Sequence, residues 1–207
     1  MALNKIYLAR PFIFYQINTS GMKKITLIIL IFFFSINASC QSETKIKFGF
    51  KTGLAFSSAR QEYLNDAAPV PLQSKTSLLI ETYLNVKIKE SLYFQPALIF
   101  LSKGPSYSYG TNYFEIPLDI LHKFSVKNGM FFLGGGLSPA FKVSTSYGSD
   151  DIKRFDLGLN ALATYQTSIG FSISLSYTYG LLNLSNNKTY ITNYQNRYLS
   201  VCVGYEF

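Results

Sequence analysis

This chain has no tryptophan, a single histidine (His122), two cysteines and eleven acidic residues among 207. Each scarcity removes a class of function. One cysteine, Cys40, falls in the leader described below, so Cys202 stands alone and neither a disulfide framework nor a cysteine metal motif can be built. One histidine rules out a multi-histidine metal site. All eleven acids follow residue 40, and four of the nineteen Lys and Arg precede it. The chain beyond residue 40 therefore carries +4 rather than the +8 of the whole. So small an excess, with no basic stripe or recognition motif, gives no case for nucleic acid. Beyond residue 40 there is no apolar run long enough for a transmembrane helix.

What is abundant is aromatic: 16 Tyr and 18 Phe. Many aromatics with few charges suit a lipid-facing wall with interfacial girdles. The last eleven residues, Arg197-Tyr-Leu-Ser-Val-Cys-Val-Gly-Tyr-Glu-Phe207, alternate. Leu199, Val201, Val203, Tyr205 and Phe207 take every second position, with small or polar residues between them. Period two is the period of a strand. A soluble protein rarely ends on an exposed apolar β edge, whereas a barrel that closes its last strand onto its first has no edge. The same five residues resemble the C-terminal assembly signal that barrel-insertion machinery reads in Gram-negative outer membranes. The bland alternative is the last strand of a soluble sandwich.

At the other end, Met22-Lys23-Lys24 leads into the apolar run Ile25–Ile36 and then Asn37-Ala38-Ser39-Cys40-Gln41. A charged start, a short hydrophobic stretch and small residues before a cut read as a signal peptide over 22–40, cleaved before Gln41. Residues 1–21 then read as a mis-assigned extension, and 41–207 as one barrel domain. Two alternatives stay open: lipidation of Cys40, although Asn37 replaces the usual Leu, and a single N-terminal anchor helix.

Between these ends the period-two pattern recurs. Strands are expected at about 45–56, 77–88, 92–101, 113–124, 130–143, 154–165, 169–181 and 197–207. The connections alternate between long polar loops (57–75, 102–112, 144–153, 183–195) and short turns, including Asn128-Gly129. The fold class is all-β: an eight-stranded antiparallel transmembrane β-barrel, an up-and-down meander. Strands of about ten tilted residues span a hydrocarbon core. An even count puts both termini on the periplasmic side, with the long loops outside. The less apolar faces carry Lys51, Glu81, Lys87, Glu115, Asp119, Asp156 and Glu206. In lipid, each Lys would cost about 2–4 kcal/mol at mid-depth and each acid less, so these residues face the lumen as a charge network, Glu115 and Asp119 pairing with Lys51 and Lys87. An eight-stranded barrel is only wide enough for its own side chains, so the lumen is packed and polar. Pro96, Pro117 and Pro139 fall inside expected strands and break ladders there, as bulges or strand ends.

The segments Leu92-Tyr-Phe-Gln-Pro-Ala-Leu98, Asn112-Tyr-Phe-Glu-Ile-Pro-Leu118, Phe131-Phe-Leu-Gly-Gly-Gly136 and Arg154-Phe-Asp-Leu-Gly158 together resemble the PorT-type, porin-like outer-membrane β-barrel family of Gram-negative bacteria. The resemblance implies a small outer-membrane barrel with prolines in the third and fourth strands. It implies no single activity: some members are accessory to protein secretion or gliding machinery. It brings no catalytic motif and no cofactor.

The residues themselves do not build an enzyme. His122 has lipid-side parity near a turn, and Ser125, three residues on, has the opposite parity. Glu115 and Asp119 lie roughly 13 Å apart along a strand, too far for a glycosidase pair. Gly134-Gly135-Gly136 lacks the helix and Lys-Ser/Thr of a phosphate cradle, and reads as close backbone approach or wall curvature. The expected function is therefore a non-enzymatic, structural or secretion-accessory barrel. It would contact outer-membrane lipid and the insertion machinery, and reach a membrane or periplasmic protein partner through loops or turns. Loop tyrosines Tyr63, Tyr107, Tyr109, Tyr147, Tyr190 and Tyr194 would serve recognition or merely pack the loops. The alternative is a narrow porin-like channel for small solutes, with water passing Tyr83, Tyr93, Tyr113 and Tyr198. A soluble, lipocalin-like barrel would need the two faces reversed.

Overall fold

A computed structural model describes residues 46–63, 70–71, 74–104, 111–144, 152–186 and 191–207. The expected leader and the lipidation site of Cys40 lie outside the described residues. So do Tyr107, Tyr109, Tyr147 and Tyr190.

Eight long strands make up the described wall: β1 (Ile46–Tyr63), β2 (Lys75–Lys87), β3 (Leu92–Lys103), β4 (Thr111–Glu115 continuing as Leu118–Val126), β5 (Gly129–Ser144), β6 (Phe155–Thr167), β7 (Phe171–Gly180) and β8 (Ile191–Glu206). Each pairs antiparallel with its neighbours in sequence, and β8 closes onto β1 from Gly49↔Glu206 to Tyr63↔Ile191. The two-residue strand Val70–Pro71 pairs with Arg60 and Gln61 at the far end of β1. One end of the barrel carries the start of β1, the end of β8 and three short turns; we call it the turn end. The long connections gather at the other, the loop end.

The stagger follows from the register. Stepping across partners from Ile46 leads through Val86, Phe94, Ile120, Gly135, Ala161, Tyr177 and Leu199 back to β1 at Phe56, ten residues beyond the start. A shear of that size on eight strands tilts them about 40° from the barrel axis. Strands of 10–18 residues then cross a bilayer with length to spare at the loop end.

Alternation decides what faces where. Phe50, Leu54, Phe100, Phe114, Ile120, Leu137, Leu159, Leu175 and Val203 are exposed outside the wall, while Lys51, Ala55, Glu115, Asp156 and Ser200 are buried inside it. So continuous an outward apolar belt has no place in water. It is the solvation pattern of a wall in lipid.

The three prolines sit within the wall. Pro117 separates the two parts of β4 without changing its register, because Ala97 N–H donates to the Pro117 carbonyl (3.0 Å) and Ile116 N–H to that of Pro139 (2.8 Å). Pro139 pairs with Leu157 in an uninterrupted β5–β6 ladder. Pro96 is the disruptive one. The β2–β3 ladder stops at Tyr83↔Ala97 and resumes at Val86↔Phe94. The interruption leaves a groove of about 220 Å³, lined by Phe48, Thr82, Tyr83, Leu84, Pro96, Ala97 and Leu98.

The strand boundaries differ from expectation mainly at the loop end. β1 runs to Tyr63, β3 to Lys103, and β8 starts at Ile191, each cutting into a segment expected to be loop. Polar composition there marks strands that have left the hydrocarbon while still paired. The β6–β7 turn is Ser168–Gly170, and Gly170 has φ +93°. A side chain at that dihedral is strained by about 1–2 kcal/mol, and a Cβ there would also lie 2.6 Å from the Glu206 carbonyl. Gly170→Ala should therefore lower the unfolding free energy by at least that amount. An unchanged denaturant midpoint would show that the turn relaxes freely.

Candidate functional site: the barrel lumen

The lumen is built from the inward residues of all eight strands, in layers. Near the turn end, Lys51 Nζ (β1) donates to Glu81 Oε1 (β2) at 2.9 Å and to Gln95 Oε1 (β3) at 3.4 Å, and sits 4.3 Å from the Tyr83 ring centroid. Gln95 Nε2 continues to Asn85 Oδ1 (3.3 Å), and Asn85 Nδ2 to Glu206 Oε2 (2.7 Å). Gln166 Nε2 donates to the other Glu206 oxygen at 3.0 Å, and Lys47 approaches that oxygen at 3.3 Å. One chain of polar contacts thus crosses β1, β2, β3, β6 and β8.

Farther along, Asp119 accepts from Asn160 Nδ2 at 2.8 Å, and Asn160 accepts from Thr178 at 3.1 Å. Toward the loop end a second centre forms on Lys103. Its ammonium ion-pairs with Glu115 and lies 3.9 Å from Asp156, between the rings of Tyr113 (5.3 Å) and Tyr198 (5.2 Å). Glu115 also accepts from Tyr198 OH (2.9 Å) and from Ser138 Oγ. Asp156 accepts from Asn196 at 3.4 Å.

The seven charges singled out in the sequence are thereby placed. Lys51, Glu81, Glu115, Asp119, Asp156 and Glu206 are buried in the lumen; Lys87 is half-buried at the turn end of β2. The expected pairing needs correction. Glu115 is neutralised by Lys103, and Asp119 is held by an amide, whereas Lys51 is committed to Glu81. Lys103 was missed because Ser102–Asn112 reads as a Gly/Ser/Tyr loop. The available signal was its parity: Lys103 continues Tyr93, Gln95, Ala97, Ile99 and Leu101 on the inward face.

The lumen is also less uniformly polar than expected. Leu79, Ile99, Leu101, Tyr113, Tyr198 and Cys202 pack together beside the Lys103 centre, and Leu121, Phe132 and Leu162 pack with Tyr93 and Met130. At the loop end, Leu184 is fully buried against Ala59 and Tyr194, with Ile152 and Leu182 around it. Backbone bonds from Leu184 N–H to Tyr194 O (2.8 Å) and from Lys153 N–H to Leu184 O (2.9 Å) hold this cluster together. Of the two roles expected for the loop tyrosines, recognition or packing, Tyr194 takes packing, in the interior.

Small residues make this packing fit. A Cβ on Gly136 would collide with the Leu118 carbonyl, and one on Gly134 with that of Ile120. The Gly134-Gly135-Gly136 run is thus a close approach of β5 to β4 at Gly134 and Gly136 and to β6 at Gly135. His122 points outward beside Phe124, ring centroids 4.5 Å apart, with no part in the lumen. Among the described residues no group of His, Cys, Asp and Glu is placed to hold a metal ion. Leu199, Val201, Val203, Tyr205 and Phe207 lie on the outer wall at the closing seam. There Phe207 N–H bonds Phe48 O (2.8 Å), and Tyr205 meets Phe171 and Phe207 at 5.1 and 5.0 Å.

Comparison with known proteins agrees with this architecture. Neisserial surface protein A (NspA) is similar in structure, with a TM-score of 0.50 and 17% identity over 77% of this chain and 97% of that one. The outer membrane enzyme PagL aligns with a TM-score of 0.46 and 12% identity over 73% and 98% of the two chains. Ail, the attachment invasion locus protein of Yersinia pestis, aligns with a TM-score of 0.42 and 14% identity over 79% and 100%. No curated protein matches the sequence. The family model described as "Outer membrane protein beta-barrel domain" matches residues 30–186. With its closed eight-stranded wall and outward apolar belt, the chain belongs to this family of bacterial outer-membrane β-barrel proteins.

Proposed function

We propose that this chain is a non-enzymatic, PorT-type outer-membrane component that acts on other proteins through its loops or turns, as a structural or secretion-accessory part. In this reading the long loops face outward, both termini and the short turns face the periplasm, and the C-terminal strand carries the signal read during insertion. The observation that supports it is how the lumen is filled. Among the described residues, the two buried lysines are spent on lumen acids, Tyr83, Tyr113 and Tyr198 are buried in the interior, and the Leu184 cluster packs against β1 and β8 at the loop end. A wall stabilised in this way can present rigid loops and turns.

A tag inserted between Asn65 and Pro71 tests the proposal by purification from native outer membranes at two detergent strengths. Stoichiometric recovery of one membrane or periplasmic protein at both strengths is expected. Recovery of the barrel alone would overturn the accessory reading. The second reading, a narrow channel, is separated by planar-bilayer recording. We expect no discrete conductance from the wild-type chain, and steps of defined size would favour the channel. Leu184→Gly is the informative variant, since it empties the loop-end cluster without touching a charge.

A further inference from the structure

We propose that the outer face of the β8–β1 seam, at the loop-end edge of the apolar belt, binds the phosphate of a lipid headgroup through Arg60 and Arg197. The inference needs the chain's place in a bilayer, but neither the accessory nor the channel reading.

The apolar belt ends abruptly on this seam. Phe56 and Leu199 are its last exposed apolar residues on β1 and β8, while on β7 the exposed Tyr179 lies beside Arg197 in register. The next outward positions are Ser58, Arg60 and Glu62 on β1, and Arg197, Gln195 and Asn193 on β8. The register Ser58↔Arg197 and Arg60↔Gln195 puts the two arginines on one face as diagonal neighbours, about 7–8 Å apart between their backbones. Among the described residues one acid is nearby: Glu62, 3.2 Å from Arg60 Nη2. Arg197 spends its Nε on Ser58 Oγ at 3.1 Å, which fixes the direction of its fork. Arg60 Nε is buried and has no acceptor among the described residues. Two arginines thus share one outward face, with Arg60 Nε left over and the one carboxylate, Glu62, on the side of Arg60 away from Arg197.

This is an arrangement for an anion. Guanidinium forks match phosphate oxygens bidentately. Depth selects the source. At the edge of a hydrocarbon belt the anion within reach is the headgroup phosphate, and Phe56 and Leu199 directly below would lie along the same lipid's chains. An arginine at that depth keeps its charge in the headgroup zone while its stem covers apolar wall.

The test is native mass spectrometry of the full barrel, titrated with a diphosphorylated glycolipid and with the same glycolipid stripped of phosphate. Folding of each variant is checked by the heat-dependent gel mobility of the closed barrel. We expect the wild type to retain the phosphorylated form preferentially, and R60A/R197A to lower its apparent affinity at least about tenfold. That is the size of one to two charge-assisted bonds. R60K/R197K, which keeps charge but loses the fork, should fall between, and decides the matter if the alanine variant does not fold. Equal binding by wild type and a folded variant would overturn the proposal. So would equal binding of the two glycolipids. Displacement by equimolar inorganic phosphate would also overturn it, by reassigning the arginines to a free anion. K123A/K127A at the turn end should change nothing; an equal loss there would reduce the effect to general basicity and overturn the site.

Discussion

Replacing Lys103 by methionine is expected to destabilise the barrel by about 3–5 kcal/mol, the cost of removing one partner from a buried ion pair. The lumen is the reason. Among the described residues, five acids are buried (Glu81, Glu115, Asp119, Asp156 and Glu206) against two lysines, Lys51 and Lys103. Lys103 therefore serves two carboxylates, Glu115 directly and Asp156 at 3.9 Å. Without it, Glu115 keeps only the Tyr198 and Ser138 hydroxyls, and Asp156 keeps one amide at 3.4 Å. Methionine fills nearly the same volume, so the loss reports charge rather than a cavity. Equilibrium unfolding from lipid vesicles in guanidinium measures it. The double variant Lys103→Met/Glu115→Gln should regain part of the loss, because one of the stranded charges goes with it. A Lys103→Met barrel as stable as wild type would show that the Lys103 centre contributes nothing net. The same measurement on Lys51→Met should give a smaller loss, since Gln95 and Asn85 keep the turn-end chain of contacts connected.

Arginine at Ile120 should cost about 2–4 kcal/mol, while arginine at Ile169 should cost about 0–1. Both side chains are exposed on the outer wall, Ile120 by 46% and Ile169 by 68%. In water the more exposed position would tolerate the change at least as well for the same reason, so exposure alone predicts little loss at either. Depth separates them. Ile120 lies in the middle of β4, between Phe94 and Gly135 on its neighbours. Ile169 sits in the β6–β7 turn at the barrel's end, where a guanidinium reaches headgroups. Unfolding free energies of the two variants in the same vesicles provide the comparison. Equal and small costs would mean that the wall is not in hydrocarbon.

Much of this was readable in order along the chain, because a strand writes its faces into the sequence every two residues. Lys51, Ala55, Glu115 and Asp156 could be set inside, and Phe50, Phe114, Leu159 and Val203 outside, without a neighbour in view. The count of eight followed from turns such as Asn128-Gly129, and closure from a terminal strand with nowhere else to bury its edge. The prolines were harder. One-dimensional reasoning sees a missing N–H in Pro96, Pro117 and Pro139 alike, but the consequence depends on where that bond would have gone. At Pro96 a ladder opens, whereas at Pro117 backbone bonds bridge the break.

Period two determines the face of each residue but not the residue across from it. Partner identity comes from the stagger, and the ten-residue offset is a property of the closed ring, absent from any one strand. For that reason the sequence pointed Lys51 and Lys87 at Glu115 and Asp119, whereas the fold brings Lys103 to Glu115 and gives Asp119 an amide. Lys103 itself lies where composition turns polar as the strand leaves the membrane, which reads as loop although the pairing continues. The same applies to Arg60 and Arg197. Each is an ordinary outward residue in its own strand, and the β8–β1 register alone makes them neighbours. Local alternation thus determined inside and outside, while the ion pairs of the lumen were decided by the register of the closed wall, because they join residues 12 to 159 positions apart whose distance no local pattern encodes.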